Sequence, residues 1–160
     1  MKYLFLFLIC VTFNESQAQI PVGLQAPDFS LIGFDGNQVT LKSSQSKITI
    51  VNFWASWCGP CVKSLHETII PLYNEYSRDQ LDVIGISNDL KEDKWRAAID
   101  KHQIPWANVW DQNRALVKAY GVPAIPTYFL LDTSGKIIQS NIYANKLKSA
   151  VKKALQKSYN

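Results

Sequence analysis

The sequence predicts an α/β fold: a central mixed β-sheet with helices on both faces and an N-terminal β-hairpin extension. Three observations carry that expectation. Residues 48–54 and 81–87 are continuous apolar, β-branched runs, the pattern of strands buried on both faces. The stretches after them repeat apolar residues at threes and fours, as amphipathic helices do. Late in the chain, two more strand-like segments meet at Asp132-Thr133-Ser134-Gly135, a hairpin signal, so part of the sheet must be antiparallel. Strands alternating with helices and ending in such a hairpin describe one mixed sheet. A chain of 160 residues, 47% of them hydrophobic, fills one ordinary core.

The elements follow in order. Residues 29–32 and 38–41 flank Gly33-Phe34-Asp35-Gly36-Asn37, whose Asp-Gly step reads as a hairpin turn. The polar residues 42–47 form a loop before strand 48–54. From Pro60 the pattern turns helical through Val62, Leu65, Ile69, Leu72, Tyr73 and Tyr76, and Pro71, with no amide hydrogen, should kink or interrupt it. After strand 81–87, Asp89 is placed to cap a helix over 91–102 that turns Trp95, Ala98 and Ile99 inward. Residues 107–110 are a short extended piece, and 113–120 a helix that stops at Gly121. Strands 126–131 and 136–140 form the hairpin. The closing helix, 144–158, carries Lys148, Lys152, Lys153 and Lys157 as a solvated face. With a formal net charge of only +4, nothing else suggests nucleic acid as a partner.

The first residues stand apart from this domain. Lys2, an apolar run over 3–13 and Ser16-Gln17-Ala18 form the pattern of a secretory signal peptide. The expected division is a cleaved signal over residues 1–18 and one domain over 19–160. A membrane anchor wants about 20 apolar residues, so a periplasmic or otherwise exported protein, cleaved near Ala18, is favoured over an uncleaved anchor. Ile9 stands before Cys10 where a lipoprotein signal places a small residue, which argues against lipid attachment.

Cleavage removes Cys10 and leaves Cys58 and Cys61. A stabilising bridge in an oxidising compartment closes a long loop, whereas this pair would enclose two residues, so a redox role fits better than a staple. Cys58 stands at the end of a strand and the start of a helix, where free N–H groups and the positive dipole end favour thiolate over thiol. Gly59 leaves the approach to its sulfur open, and Pro60 suits the first helical turn and stiffens the ring. Cys61, one turn in, should be more buried. Cys58 is therefore the expected attacking cysteine and Cys61 the resolving one. The rival chemistry is metal binding. A structural zinc site needs four ligands, and only His66 and His102 remain, the first reading as an exposed helix residue and the second as a helix end. Copper is weaker still, because Met1 is the only methionine. The expectation is no metal, and no cofactor beyond the cysteine pair itself.

The segments GLQAPDFSL, VNFWASWCGPC, LDVIGIS and YGVPAIPTYFLLDTSGKI, in this order and spacing, carry a family resemblance. From Val22 onward the chain resembles the TlpA/ResA-like family of exported thiol-disulfide oxidoreductases, which implies a thioredoxin-like fold. The resemblance makes Pro126 the cis-proline that sits against the active-site disulfide, and Ile125 the residue whose backbone is presented to a substrate chain. Trp54 and Trp57 match the aromatic residues before the motif, with core packing an equal reading for Trp54. The implied activity is reduction of protein disulfides through a Cys58/Cys61 dithiol-disulfide cycle, the direction resting on the Gly-Pro pair shared with thioredoxin. The implied partners are exported proteins with disulfides, apocytochrome c among them, and a membrane thiol electron donor of the DsbD or CcdA type. A monomer is expected.

Two residues depart from the family pattern. Asn52 stands where cytoplasmic thioredoxins carry a buried aspartate, and Ser64 where many relatives of the ResA type carry a glutamate. The group that deprotonates Cys61 is therefore unassigned; Glu67, on the same helix, reads as solvent-exposed. A peroxiredoxin reading fails because Val51 and Ala55 occupy the positions of its proline and its Thr or Ser. A non-catalytic binding or chaperone module would need neither the cysteine pair nor Pro126.

Overall fold

The computed structural model describes residues 20–158. The expected signal segment and its cleavage point lie outside the described residues. The central sheet has the order β5-β4-β3-β6-β7. Its middle strand, β3 (Ile48–Trp54), pairs in parallel with β4 (Leu81–Ser87) and antiparallel with β6 (Thr127–Asp132). Beyond them, β5 (Ala107–Trp110) joins β4 in parallel and β7 (Ile137–Ile142) joins β6 antiparallel. Every residue of β3 is buried, as expected of a strand covered on both faces.

Alternation along β3 divides the core in two. Ile48, Ile50 and Trp54 pack with Leu65, Ile69, Leu72, Trp95, Leu147 and Val151. These come from α1 (Gly59–Ser64) and its continuation, α2 (Ile70–Glu75), α3 (Glu92–His102) and α5 (Ala144–Ser158). Val51 and Phe53 pack on the opposite face with Ile84, Phe129, Tyr120 and the short α4 (Ala115–Ala119). There Phe53, Tyr120 and Phe129 form a ring cluster with centroids 5.1 to 5.9 Å apart. The hairpin of β1 (Ser30–Ile32) and β2 (Gln38–Thr40) closes over this second face through Val39 and is tied to the sheet by a bridge between Gly33 and Val109. It is the predicted N-terminal extension.

Pro71 interrupts the helix, as expected: α1 stops at Ser64, Leu65–Ile69 form a π-helical turn, and α2 starts at Ile70. Pro71 offers no N–H to an α-helical ladder, and the wider turn, in which Ile70 N–H reaches back five residues to Leu65 O, absorbs the break. Asp89 does not cap α3; Lys91 is its N-cap residue and makes no side-chain cap. Helix α4 begins two residues late because Arg114 takes a left-handed φ of 56°, and Asp111 Oδ2 accepts the amides of Leu116 and Val117 at 2.9 Å each. Gly121, with a φ of 59°, ends it as expected.

One glycine of the sheet is required by a close approach. Gly85 lies in register between Asn52 on β3 and Asn108 on β5, and a Cβ there would lie 2.0 Å from Asn108 Oδ1. That same oxygen accepts the indole N–H of Trp54 at 3.0 Å. Gly85→Ala is expected to displace the Asn108 side chain and orphan the buried indole. Overpacking plus the lost hydrogen bond should lower stability by about 2–4 kcal/mol, read as an earlier urea midpoint with an unchanged slope.

Candidate active site

Strand β3 ends at Trp54, and the loop Ala55-Ser56-Trp57 carries the chain to Cys58, the N-cap residue of α1. Cys58 and Cys61 are joined in a disulfide with Cα atoms 5.2 Å apart. Cys58 has extended backbone angles (φ −85°, ψ 97°), and its sulfur accepts the Cys61 backbone N–H at 3.2 Å. A donor is thus aimed at the atom that bears negative charge once the bond is reduced, and hydrogen bonding to the charged form favours it. Pro60 sits in the first turn, where its missing N–H leaves no intrahelical bond unmade. Cys61 is 1% exposed and Cys58 5%, so the resolving position is the deeper one, although neither sulfur stands far out of the surface.

The loop before β6 approaches this pair from the other side. The Ile125–Pro126 peptide bond is cis, and the Ile125 carbonyl oxygen lies 3.8 Å from Cys58 Sγ. Thr127 Oγ1 donates to Ala124 O at 2.6 Å and fixes the turn. The two tryptophans separate: Trp54 is wholly buried in the core, while Trp57 is 64% exposed on the rim beside Cys58.

Asp89, expected to be a helix cap, belongs to this site. Its buried carboxylate accepts Ser56 N–H at 3.0 Å, Ser56 Oγ–H at 2.6 Å and Ser87 Oγ–H at 2.8 Å, and its own carbonyl accepts the Trp110 indole N–H at 2.7 Å. It therefore clamps the loop two residues before Cys58. The polar run Ser87-Asn88-Asp89 at the carboxyl end of a central parallel strand was the available signal, because sites of open α/β sheets form there.

Beneath α1 a polar row crosses the sheet: Tyr128, Asn52, Gly85 and Asn108 are successive register partners on four strands. Asn52 is buried, and neither of its amide atoms has a hydrogen-bond partner. Ser64 Oγ donates to Cys61 O at 2.9 Å and shares a short hydrogen bond with the Tyr128 hydroxyl. Burial pushes Tyr128 up to about 12, with the Ser64 contact pulling weakly the other way, so near neutral pH this phenol keeps its proton. Glu67 is exposed and lies 3.9 Å from Lys63. Both positions thus hold neutral side chains: Ser64 ties α1 to Tyr128, and Asn52 makes no hydrogen bond to the helix.

His66 and His102, 36 residues apart in sequence, come together at the surface with Nε2 and Nδ1 3.1 Å apart. Burial, followed by the charges of His66 and Lys101, holds His102 below the usual imidazole range. Among the described residues no group of three or more His, Cys, Asp or Glu side chains is placed to hold a metal ion.

The geometry has known counterparts. Residues 21–156 match the model of the Redoxin family. Thiol-disulfide oxidoreductase ResA of Bacillus cereus is 27% identical over 133 residues, which cover 83% of this chain and 76% of the relative. The thioredoxin-like protein YneN of Bacillus subtilis is 32% identical over 129 residues, 79% of this chain and 74% of the relative. Among solved structures, a putative thiol:disulfide interchange protein DsbE from Chlorobium tepidum superposes with a TM-score of 0.78 at 26% identity, covering 89% of this chain and all of that one. The thioredoxin domain of a thiol-disulfide oxidoreductase from Bacteroides vulgatus gives a TM-score of 0.77 at 26% identity, over 86% of this chain and 99% of that domain.

Proposed function

The chain belongs to the Redoxin family and is a thiol-disulfide oxidoreductase of the ResA type with a thioredoxin-like fold; from that premise we propose that it works outside the cytoplasm as a reductase of protein disulfides. The observation that carries the reading is the Cys58–Cys61 pair at the head of α1, with a backbone N–H on the Cys58 sulfur and the Ile125 carbonyl beside it. In the reduced protein, the Cys58 thiolate attacks one sulfur of a substrate disulfide. A mixed disulfide forms and the first substrate thiolate leaves, to be protonated by solvent. The Cys61 sulfur, deprotonated by water, then attacks Cys58 Sγ and the second substrate thiolate leaves. Two electrons and two protons pass to the substrate, and the disulfide seen here is the oxidised product. Trp57, Gly59 and Pro60 form the exposed edge against which the substrate lies, and the backbone at Ile125 and Pro126 pairs with its chain.

Export is supported by the apolar N-terminal run and its small-residue cleavage pattern. A reductase in an oxidising compartment needs electrons from across the membrane, so its donor is a membrane thiol carrier of the DsbD or CcdA type. Apocytochrome c, whose haem-attachment cysteines must be reduced before haem is joined, is a fitting substrate.

The test is the reduction potential, measured by equilibrating the protein with glutathione buffers and following tryptophan fluorescence. A value near the roughly −270 mV of thioredoxin is expected of a donor. A value near the roughly −120 mV of DsbA would make the protein an oxidant and overturn the direction.

A further inference from the structure

We propose that His66 and His102 form a two-histidine site for a divalent transition ion of the zinc and copper class, clipping the active-site helix to α3. His66 lies in the π-helical turn that continues α1, and His102 is the last residue of α3. Neither takes part in the redox chemistry. Both are within reach of solvent, His66 exposed and His102 half-buried.

Their facing nitrogens, His66 Nε2 and His102 Nδ1, are 3.1 Å apart, and the ring centroids 5.2 Å. Two nitrogens held at zinc–nitrogen distances of 2.0–2.1 Å around a tetrahedral ion are about 3.3 Å apart. One of the two nitrogens now donates its N–H to the lone pair of the other; moving that proton to the far nitrogen of its own ring, with a small swivel of both surface rings, points one lone pair from each histidine at a single ion. Neutral imidazole is the ligand type that suits zinc, copper and nickel, and copper(II) should bind most tightly by the usual order of divalent affinities.

The surroundings carry charge of both signs. His102 closes an eleven-residue helix, whose C-terminal carbonyls present the negative end of the dipole. Glu67 adjoins His66, while Lys63 and Lys101 oppose. Water completes the coordination shell, which makes this a surface clip rather than a closed structural site. The ion would tie together two segments of chain on either side of β4, so binding must stabilise the fold.

The test uses the tag-free protein in its disulfide form and without Cys10, so that no thiolate competes for metal. Zinc chloride and, separately, copper(II) chloride are titrated near neutral pH by calorimetry, with the imidazole proton resonances followed by NMR in the titration with diamagnetic zinc. One equivalent should bind, both histidines' resonances should move together, and the thermal midpoint should rise. His66→Gln and His102→Gln should each weaken binding at least tenfold; both rings lie at the surface, so both variants fold. If the variants bind as the parent does, or if only one histidine responds, the two rings do not share an ion and the proposal fails.

Discussion

Cys58→Ser is expected to abolish turnover of a disulfide substrate, while Cys61→Ser yields a protein that reacts once and remains covalently joined to what it attacked. The asymmetry follows from placement. Cys58 carries the backbone donor and stands beside Ile125 O, 5% exposed, whereas Cys61 is a turn deeper and 1% exposed. Losing the attacking thiolate removes the covalent route altogether, so reduction of insulin should fall by at least about a thousandfold. Losing the resolving thiol leaves the first exchange intact and stops the second. The check is non-reducing electrophoresis of each variant incubated with a disulfide protein. A stable adduct with Cys61→Ser, absent with Cys58→Ser, is the expected result. An adduct formed by Cys58→Ser would reverse the roles, and unchanged turnover in either variant would remove the pair from the chemistry.

What could be read from the sequence was what is encoded locally. The strands β3 and β4 were legible because burial on both faces demands an unbroken apolar run, and α5 because its buried Leu147, Ala150, Val151 and Leu155 recur at helical spacing. The cysteine pair, its Gly-Pro spacer and the later Ile-Pro-Thr were visible as short motifs. What escaped were pairs distant in sequence. Asp89 resembles any acid before a helix, and only the fold brings it to Ser56, 33 residues away. His66 and His102 each look like ordinary helix residues until two helices align. The π-helical turn was half legible: Pro71 announced a break, but whether it appears as a kink or a wide turn depends on how Leu65, Ile69 and Leu72 must all reach the same core. Asn52 and Ser64 were legible as missing acids, and the structure adds that one is an unpaired amide and the other a hydroxyl shared with Tyr128.

Asp89 should prove as important to the site as any residue outside the cysteine pair, and two substitutions separate its roles. The carboxylate holds three donors, two of them on Ser56, in a buried setting. Hydrogen bonds to charged groups contribute about 1.5–3 kcal/mol each, and donors left buried without a partner add their desolvation cost. Because the three bonds act as a unit, Asp89→Ala should lower stability by about 4 kcal/mol rather than by their full sum, and should loosen the loop that presents Trp57 and Cys58. Asp89→Asn keeps the shape and one accepting oxygen but removes the negative charge. A negative charge near Cys58 opposes formation of its thiolate, so its removal stabilises the reduced form, and stabilising the reduced form makes a dithiol pair more oxidising. If the Cys58 pKa falls by about one unit, the potential should rise by about 30 mV. The measurements are the glutathione equilibrium and the ultraviolet absorbance of the thiolate against pH, for the parent and Asp89→Asn side by side. A merely structural clamp would lower the thermal midpoint and leave both quantities where they were. A potential that rises together with a falling Cys58 pKa makes Asp89 a positioning residue that also sets how readily the protein gives up its electrons.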